Sequence, residues 1–76
     1  MKDKNYAEYM RFGVSVIYFR RMKGLTQEQL AEKMDVHFET ISRIENANTG
    51  ISMDMLINLS KALDISLSEL FAHASL

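Results

Sequence analysis

The chain has no cysteine, no proline and no tryptophan, only three glycines, and a net charge of just −1. Without cysteine, neither a disulfide nor a thiolate metal site can form, which fits a reducing cytoplasm. Without proline, no proline-rich linker divides the chain, and internal repeats and low-complexity tracts are missing too. The longest apolar run, Phe12 to Phe19, is broken by Gly13 and Ser15 and is too short to cross a bilayer. No small-residue cleavage site follows it, so a signal peptide is not expected. Seventy-six residues build one modest core at most and leave no room for a deep catalytic cleft. No paired carboxylates, nucleophile beside a base, or phosphate loop is visible, so an enzyme is not expected. His37 and Glu39 supply two metal donors, too few for a site, and no metal, cofactor or small-molecule ligand is expected.

What is present is ordinary globular material, 47% hydrophobic and 25% charged, which argues against disorder. Residues 1–5 are polar and read as a flexible tail. A long helix is predicted over Tyr6 to Lys23, with Phe12, Val16, Phe19 and Arg20 on one inward stripe. Tyr6, Met10, Ile17 and Val14 form a second apolar stripe, suited to the tail of the last helix (Phe71, Leu76) or to a second copy. Gly24 is placed to stop that helix in left-handed backbone. Thr26 with Gln29 forms a capping box that opens a second helix, whose buried side is Leu30, Ala31 and Met34. Asp35 and Val36 turn the chain into a third helix, Phe38 to Asn46, with Ile41 and Ile44 inward. After a turn-rich loop, Ser52 caps a fourth helix carrying Leu56, Leu59, Ala62 and Leu63. Ser66 with Glu69 opens a fifth, with Leu67, Leu70 and Phe71 inward. No segment reads as a strand. The expectation is an all-α, five-helix domain over 6–76, with the six methionines as core gap-fillers and His73 in the tail.

The second and third helices, joined by a tight turn, read as a helix-turn-helix whose third helix keeps a free polar face. The physical use of that unit is to lay its second helix in the major groove of DNA. A net charge of −1 lends that reading little support, but the charge is uneven. Residues 1–33 carry seven Lys/Arg against four Asp/Glu, and residues 34–76 carry two against six.

Three segments together resemble a known family: Gly24-Leu25-Thr26-Gln27 through Leu30-Ala31, Ile41-Ser42-Arg43-Ile44-Glu45, and Leu63 through Phe71. The stretch from Phe12-Gly13 to Leu70-Phe71 is similar to the lambda-repressor/Cro-like, or XRE, helix-turn-helix domain. The resemblance implies a sequence-specific double-stranded DNA-binding regulator, with the third helix read into the major groove. It places Phe38, Glu39, Ser42 and Arg43 against base edges. It places Thr26, through its N–H or hydroxyl, Gln27 and Asn46 against phosphates, with Gln27 also bracing the third helix. It makes Arg20 and Glu45 a partly buried ion pair between the first and third helices. Relatives read palindromes as two-fold dimers, so a homodimeric repressor or autoregulator is expected.

Three positions depart from the family pattern. Asp35 stands where the family usually has Gly, His37 is a weak helix cap, and the loop after Asn46 has no Lys or Arg. Arg43 can donate twice to guanine, or pair with Glu39 one turn away. Glu39 can accept from cytosine N4, exclude wrong sequences, or act as a plain surface acid. Phe38 can meet a thymine methyl, fold back on the domain, or meet another protein. The alternative function is a protein-interaction module with weak or lost DNA binding.

Overall fold

The computed structural model describes residues 4–76. Five helices fill that range: α1 (Tyr6–Met22), α2 (Gln27–Met34), α3 (Phe38–Glu45), α4 (Met53–Leu63) and α5 (Leu67–His73). Among the described residues there is no strand. Residues 1–3 of the expected tail lie outside that range, while Asn5 is the N-cap of α1 and its carbonyl accepts the Tyr9 N–H at 3.1 Å.

Local chemistry starts the helices where the sequence places them. The Thr26 hydroxyl accepts the Gln29 N–H at 3.0 Å, and Gln29 Oε1 accepts the Thr26 N–H at 2.8 Å. Ser66 and Glu69 repeat this box on α5, and the Ser52 hydroxyl accepts the Met55 N–H at 3.1 Å on α4. His37, ahead of α3, makes no side-chain cap bond.

The helix ends share one device. After each, an N–H reaches back five residues and its predecessor reaches back three, the pairing of a Schellman motif. After α1 these are Leu25 to Arg20 and Gly24 to Arg21, both 3.0 Å. The residues bent into left-handed backbone are Gly24 (φ 70), Asp35 (φ 56), Ala47 (φ 59), Asp64 (φ 54) and Ser75 (φ 60). Only the first is glycine, so four of the five closures strain a side-chain-bearing residue.

The core is Phe12, Val16, Leu30, Ala31, Ile41, Ile44, Leu59, Leu63 and Leu70, all buried, with Phe19, Met34, Leu56, Ala62, Leu67 and Phe71 packed around it. Burying each large apolar side chain contributes roughly 1.5–3 kcal/mol, which is what holds these short helices together. α3 is clasped by α1 and α2, and α5 closes on α1 and α4. Gly13 sets the depth of the α1–α3 contact. A β-carbon there would lie 2.9 Å from the Ile44 carbonyl oxygen and closer still to that of Glu45. Ser15, fully buried, donates to the Leu70 carbonyl at 2.7 Å and ties α5 to α1.

Three expectations need correction. Met10, Met22 and Met53 are exposed rather than filling the core, because each sits on an outward helical face. The second stripe of α1 is displaced: Tyr6 and Ile17 are half-buried, and the exposed apolar residues are Met10, Val14, Tyr18 and Met22. His73 is not a tail residue but ends α5, where its ring stacks on Tyr18 with centroids 4.1 Å apart.

Candidate nucleic-acid interface

α3 turns Ile41 and Ile44 into the core, which leaves Glu39, Ser42, Arg43 and Asn46 on the opposite side. These are four of the seven expected DNA-contacting positions, gathered on one face. Phe38, at the first turn, is 50% exposed, leaving half of its surface open to a ligand. Arg43 and Glu39 approach to 3.8 Å with both side chains mostly exposed. In water such a pair is worth little, and Arg43 can leave it for a better acceptor.

Asn46 is the C-cap of α3. Its Nδ2 donates to the Ser42 carbonyl at 2.9 Å and to the Ser42 hydroxyl oxygen at 3.3 Å. Two consequences follow for a ligand. The Ser42 hydroxyl, already accepting, is left to donate outward, which suits an acceptor on a base edge. An Asn46 contact to phosphate requires its amide to turn away from Ser42.

The inner end of α3 is fixed by charge. Glu45 is buried, and Arg20 grips it side-on: Nε donates to Oε2 at 2.6 Å and Nη2 to Oε1 at 3.2 Å. Arg20 Nη1 also donates to the Leu25 carbonyl at 2.8 Å, in the turn between α1 and α2. Gln27 Nε2 adds a third bond to Glu45, at 2.8 Å to Oε1. The expected ion pair forms with Glu45 buried and the Arg20 side chain still 10% exposed, and Gln27 braces α3 directly. No buried side-chain nitrogen or oxygen among the described residues lacks a partner.

At the start of α2, the Thr26 N–H donates to Gln29 Oε1, so a phosphate contact from it requires that side chain to turn away. Its hydroxyl hydrogen can serve one directly. Gln27 keeps one Nε2 hydrogen and its own backbone N–H, at the first position of a helix, where anions are favoured. α2 and α3 thus present a donor-bearing helix start beside an outward polar face, the arrangement a groove-reading unit needs. Gly13 and Ala47 support this arrangement without having been read as doing so. Gly13 signals itself only as a glycine inside a helix, and Ala47 gives no signal for its buried, left-handed position. No helix among the described residues is long and apolar enough to cross a membrane.

Comparison with known proteins matches this geometry. A helix-turn-helix family model covers residues 16–70, well over half the chain. Over 65 residues, 39% are identical to the competence pilus inhibition repressor of Acinetobacter baylyi, covering 86% of this chain and 59% of that protein. Over 64 residues, 38% are identical to control protein C.MunI of a Mycoplasma species, covering 83% and 86%. The solved restriction-modification controller protein C.AhdI from Aeromonas hydrophila superposes with a TM-score of 0.86 at 32% identity, over 91% of this chain and 100% of that one. The chain thus spans less than two thirds of the repressor's length and most of the small controllers. It belongs to the lambda-repressor/Cro-like, XRE-type helix-turn-helix family of DNA-binding transcriptional regulators.

Proposed function

We propose that residues 6–76 act as one cytoplasmic, non-enzymatic, sequence-specific DNA-binding unit that represses or autoregulates transcription. In this reading α3 enters the major groove, where Arg43 donates to guanine, Ser42 donates to a base acceptor, Phe38 meets a thymine methyl and Glu39 disfavours wrong bases. Thr26, Gln27 and, after rotation of its amide, Asn46 hold phosphates. The observation that carries the reading is the outward face of α3, held rigidly from within by Arg20, Gln27 and Glu45.

The unit is proposed to work as a homodimer on an inverted repeat, with half-sites about 34 Å apart. A mostly apolar hollow of about 120 Å³ between α1, α4 with the loop before it, and the end of the chain, lined by Tyr9, Phe12, Ile51, Leu56, Phe71 and Leu76 with Glu8 at its edge, offers a surface for the second copy. Sedimentation that shows monomer alone at high concentration refutes the dimer.

The half-exposed Phe38 and the exposed Glu39 favour a second reading, a protein-binding module with little DNA affinity. Selection of bound sequences from a random duplex pool separates the two. An enriched inverted repeat, lost with Arg43→Ala, establishes the regulator; no enrichment at low salt leaves the protein-binding module.

A further inference from the structure

The start of α2 offers a phosphate neutral donors and no charge of the right sign. Thr26 and Gln27 supply the donors, while Glu28, in the same first turn, opposes an anion. The loop after Asn46 brings no Lys or Arg to the other side of the reading helix. Most cations of the domain are held or remote. Arg20 grips Glu45, and Arg11 donates to the Ala74 carbonyl at 3.1 Å and lies 4.0 Å from Glu8. Lys33 is in the last turn of α2, Lys61 in the last turn of α4, and Lys4 precedes α1. Arg43 is on the outward face of α3. Arg21 and Lys23 remain, at the end of α1 where the chain turns toward Thr26. Both are exposed, and neither forms an ion pair with a described residue.

Their places on α1 separate these two. The Lys23 N–H donates to the Phe19 carbonyl at 3.0 Å, so Lys23 keeps the helical register. It follows Arg20 by three residues and Phe19 by four, which puts it on the stripe that faces the core and α3, one turn beyond Arg20. From that stripe Arg20 reaches Glu45 and the Leu25 carbonyl. Lys23 therefore projects past the edge of the core on the side where Gln27 meets Glu45. The α-carbons of Lys23 and Thr26, three residues apart, are at most about 11 Å from each other, and the flexible four-carbon stem of lysine spans much of that distance. Arg21 lies about 160° away from Lys23 round the helix axis.

We propose that Lys23 grips a DNA phosphate beside Thr26 and Gln27, a backbone contact made from the α1–α2 turn in place of the loop after Asn46. This contact rests on the reading that sets the start of α2 against the duplex. The ammonium supplies charge, and the donors of Thr26 and Gln27 supply direction.

The test is the salt dependence of affinity for the selected duplex, followed by anisotropy from about 50 to 200 mM potassium chloride. Lys23→Ala is expected to flatten the log–log slope by about 0.9 per subunit, about 1.8 for a dimer, and to weaken selected and scrambled duplexes by the same factor. Lys23→Arg is expected to keep the parent slope. Arg21→Ala removes an equal charge from the opposite flank and is expected to leave the slope at the parent value. A cation at the end of α1 that serves the helix alone changes thermal stability and leaves the slope untouched. An unchanged slope in folded Lys23→Ala therefore overturns the contact. Equal flattening by Arg21→Ala overturns it too, because net charge then acts without a local grip, and so does a loss confined to the selected duplex. A parent protein that binds no duplex at low salt overturns the reading of α2 and the Lys23 contact together, whereas a parent that binds, with a slope indifferent to Lys23, overturns the contact alone.

Discussion

Asp35 closes α2 in left-handed backbone, at the turn between the two helices of the reading unit, and a glycine there should stabilise the protein. The residue has φ 56 and ψ 47, with its N–H on Glu32 and the Val36 N–H on Ala31. Its carboxylate is exposed and forms no ion pair among the described residues. Three effects set the sign. An L-residue in this conformation carries strain of about 1 kcal/mol, which glycine removes. Glycine adds conformational freedom to the unfolded chain, taking back about 0.5 kcal/mol. Removing a negative charge from the negative end of a helix returns a few tenths.

The net expectation for Asp35→Gly is about 0.5–1 kcal/mol of added stability, which in a domain of this size raises Tm by about 3–6 °C. Urea denaturation followed by circular dichroism measures it, with an unchanged m value confirming that the unfolded state is comparable. Two companions divide the effect. Asp35→Asn removes the charge but keeps a side chain that tolerates left-handed backbone, so it should rise by only a few tenths of a kcal/mol. Asp35→Ala keeps the β-carbon and loses the local help of the carboxylate, so it should fall below the parent. The expected order of stability is Gly, Asn, Asp, Ala. Glycine at or below aspartate, or alanine above it, refutes the account. Asp64 has nearly the same angles at the end of α4 (φ 54, ψ 46) and should respond in parallel and additively.

Gly13→Ala should destabilise by about 2 kcal/mol, since the added β-carbon meets the Ile44 and Glu45 carbonyls. Helix propensity alone predicts a gain of about 1 kcal/mol, so thermal unfolding tells which effect wins by its sign. Arg20→Met or Glu45→Gln alone should cost about 3–5 kcal/mol by stranding one buried partner, while Arg20→Met with Glu45→Leu should cost far less than the two singles together; urea midpoints of all the variants measure this. For DNA, Arg43→Ala should cost about 1–3 kcal/mol per half-site and relax preference at one base pair, measured by anisotropy titration across single-base operator variants. With about four phosphate contacts per subunit, a dimer should show a log–log salt slope of roughly −7.

Much of this architecture was legible because its causes are local. Thr26 with Gln29, Ser52, and Ser66 with Glu69 act within three residues, and they start helices where their side chains say they should. Gly24 takes left-handed backbone as expected, Asp35 takes it where the family usually has Gly, and His37 caps poorly as expected. What was hidden depends on partners far along the chain. Gly13 matters because residues 44 and 45 come against it. Ser15 matters because Leu70 lies above it. The faces of α1 could not be ranked, since a helix with apolar residues at several angles shows its exposed side only once α3 and α5 are placed. That is why Tyr18 and Met22 were missed, and why His73 gained a partner. At the site itself, Arg20 with Glu45 came from family likeness, but the turn of Asn46 toward Ser42 is a matter of geometry at a helix end that residue identities do not specify.

The buried charges also bear on how DNA is read. Ile41 and Ile44 hold α3 to the core, but apolar contact is non-directional and sets rotation about the helix axis only loosely. A rotation of about 20° carries an outward side-chain tip about 2 Å, more than a base-edge hydrogen bond tolerates. The Glu45 carboxylate, held by Arg20 and Gln27 at three bonds, fixes that rotation from the inner end of the helix. The double variant Arg20→Met with Glu45→Leu should therefore keep the fold and its general DNA affinity, which rests on phosphates, while losing discrimination among base pairs. The ratio of affinities for selected and scrambled duplexes, measured at one salt concentration, should drop about tenfold or more for the double variant. An unchanged ratio in a folded double variant would mean that apolar packing and the Gly13 contact orient α3 unaided, and that the buried pair serves stability alone.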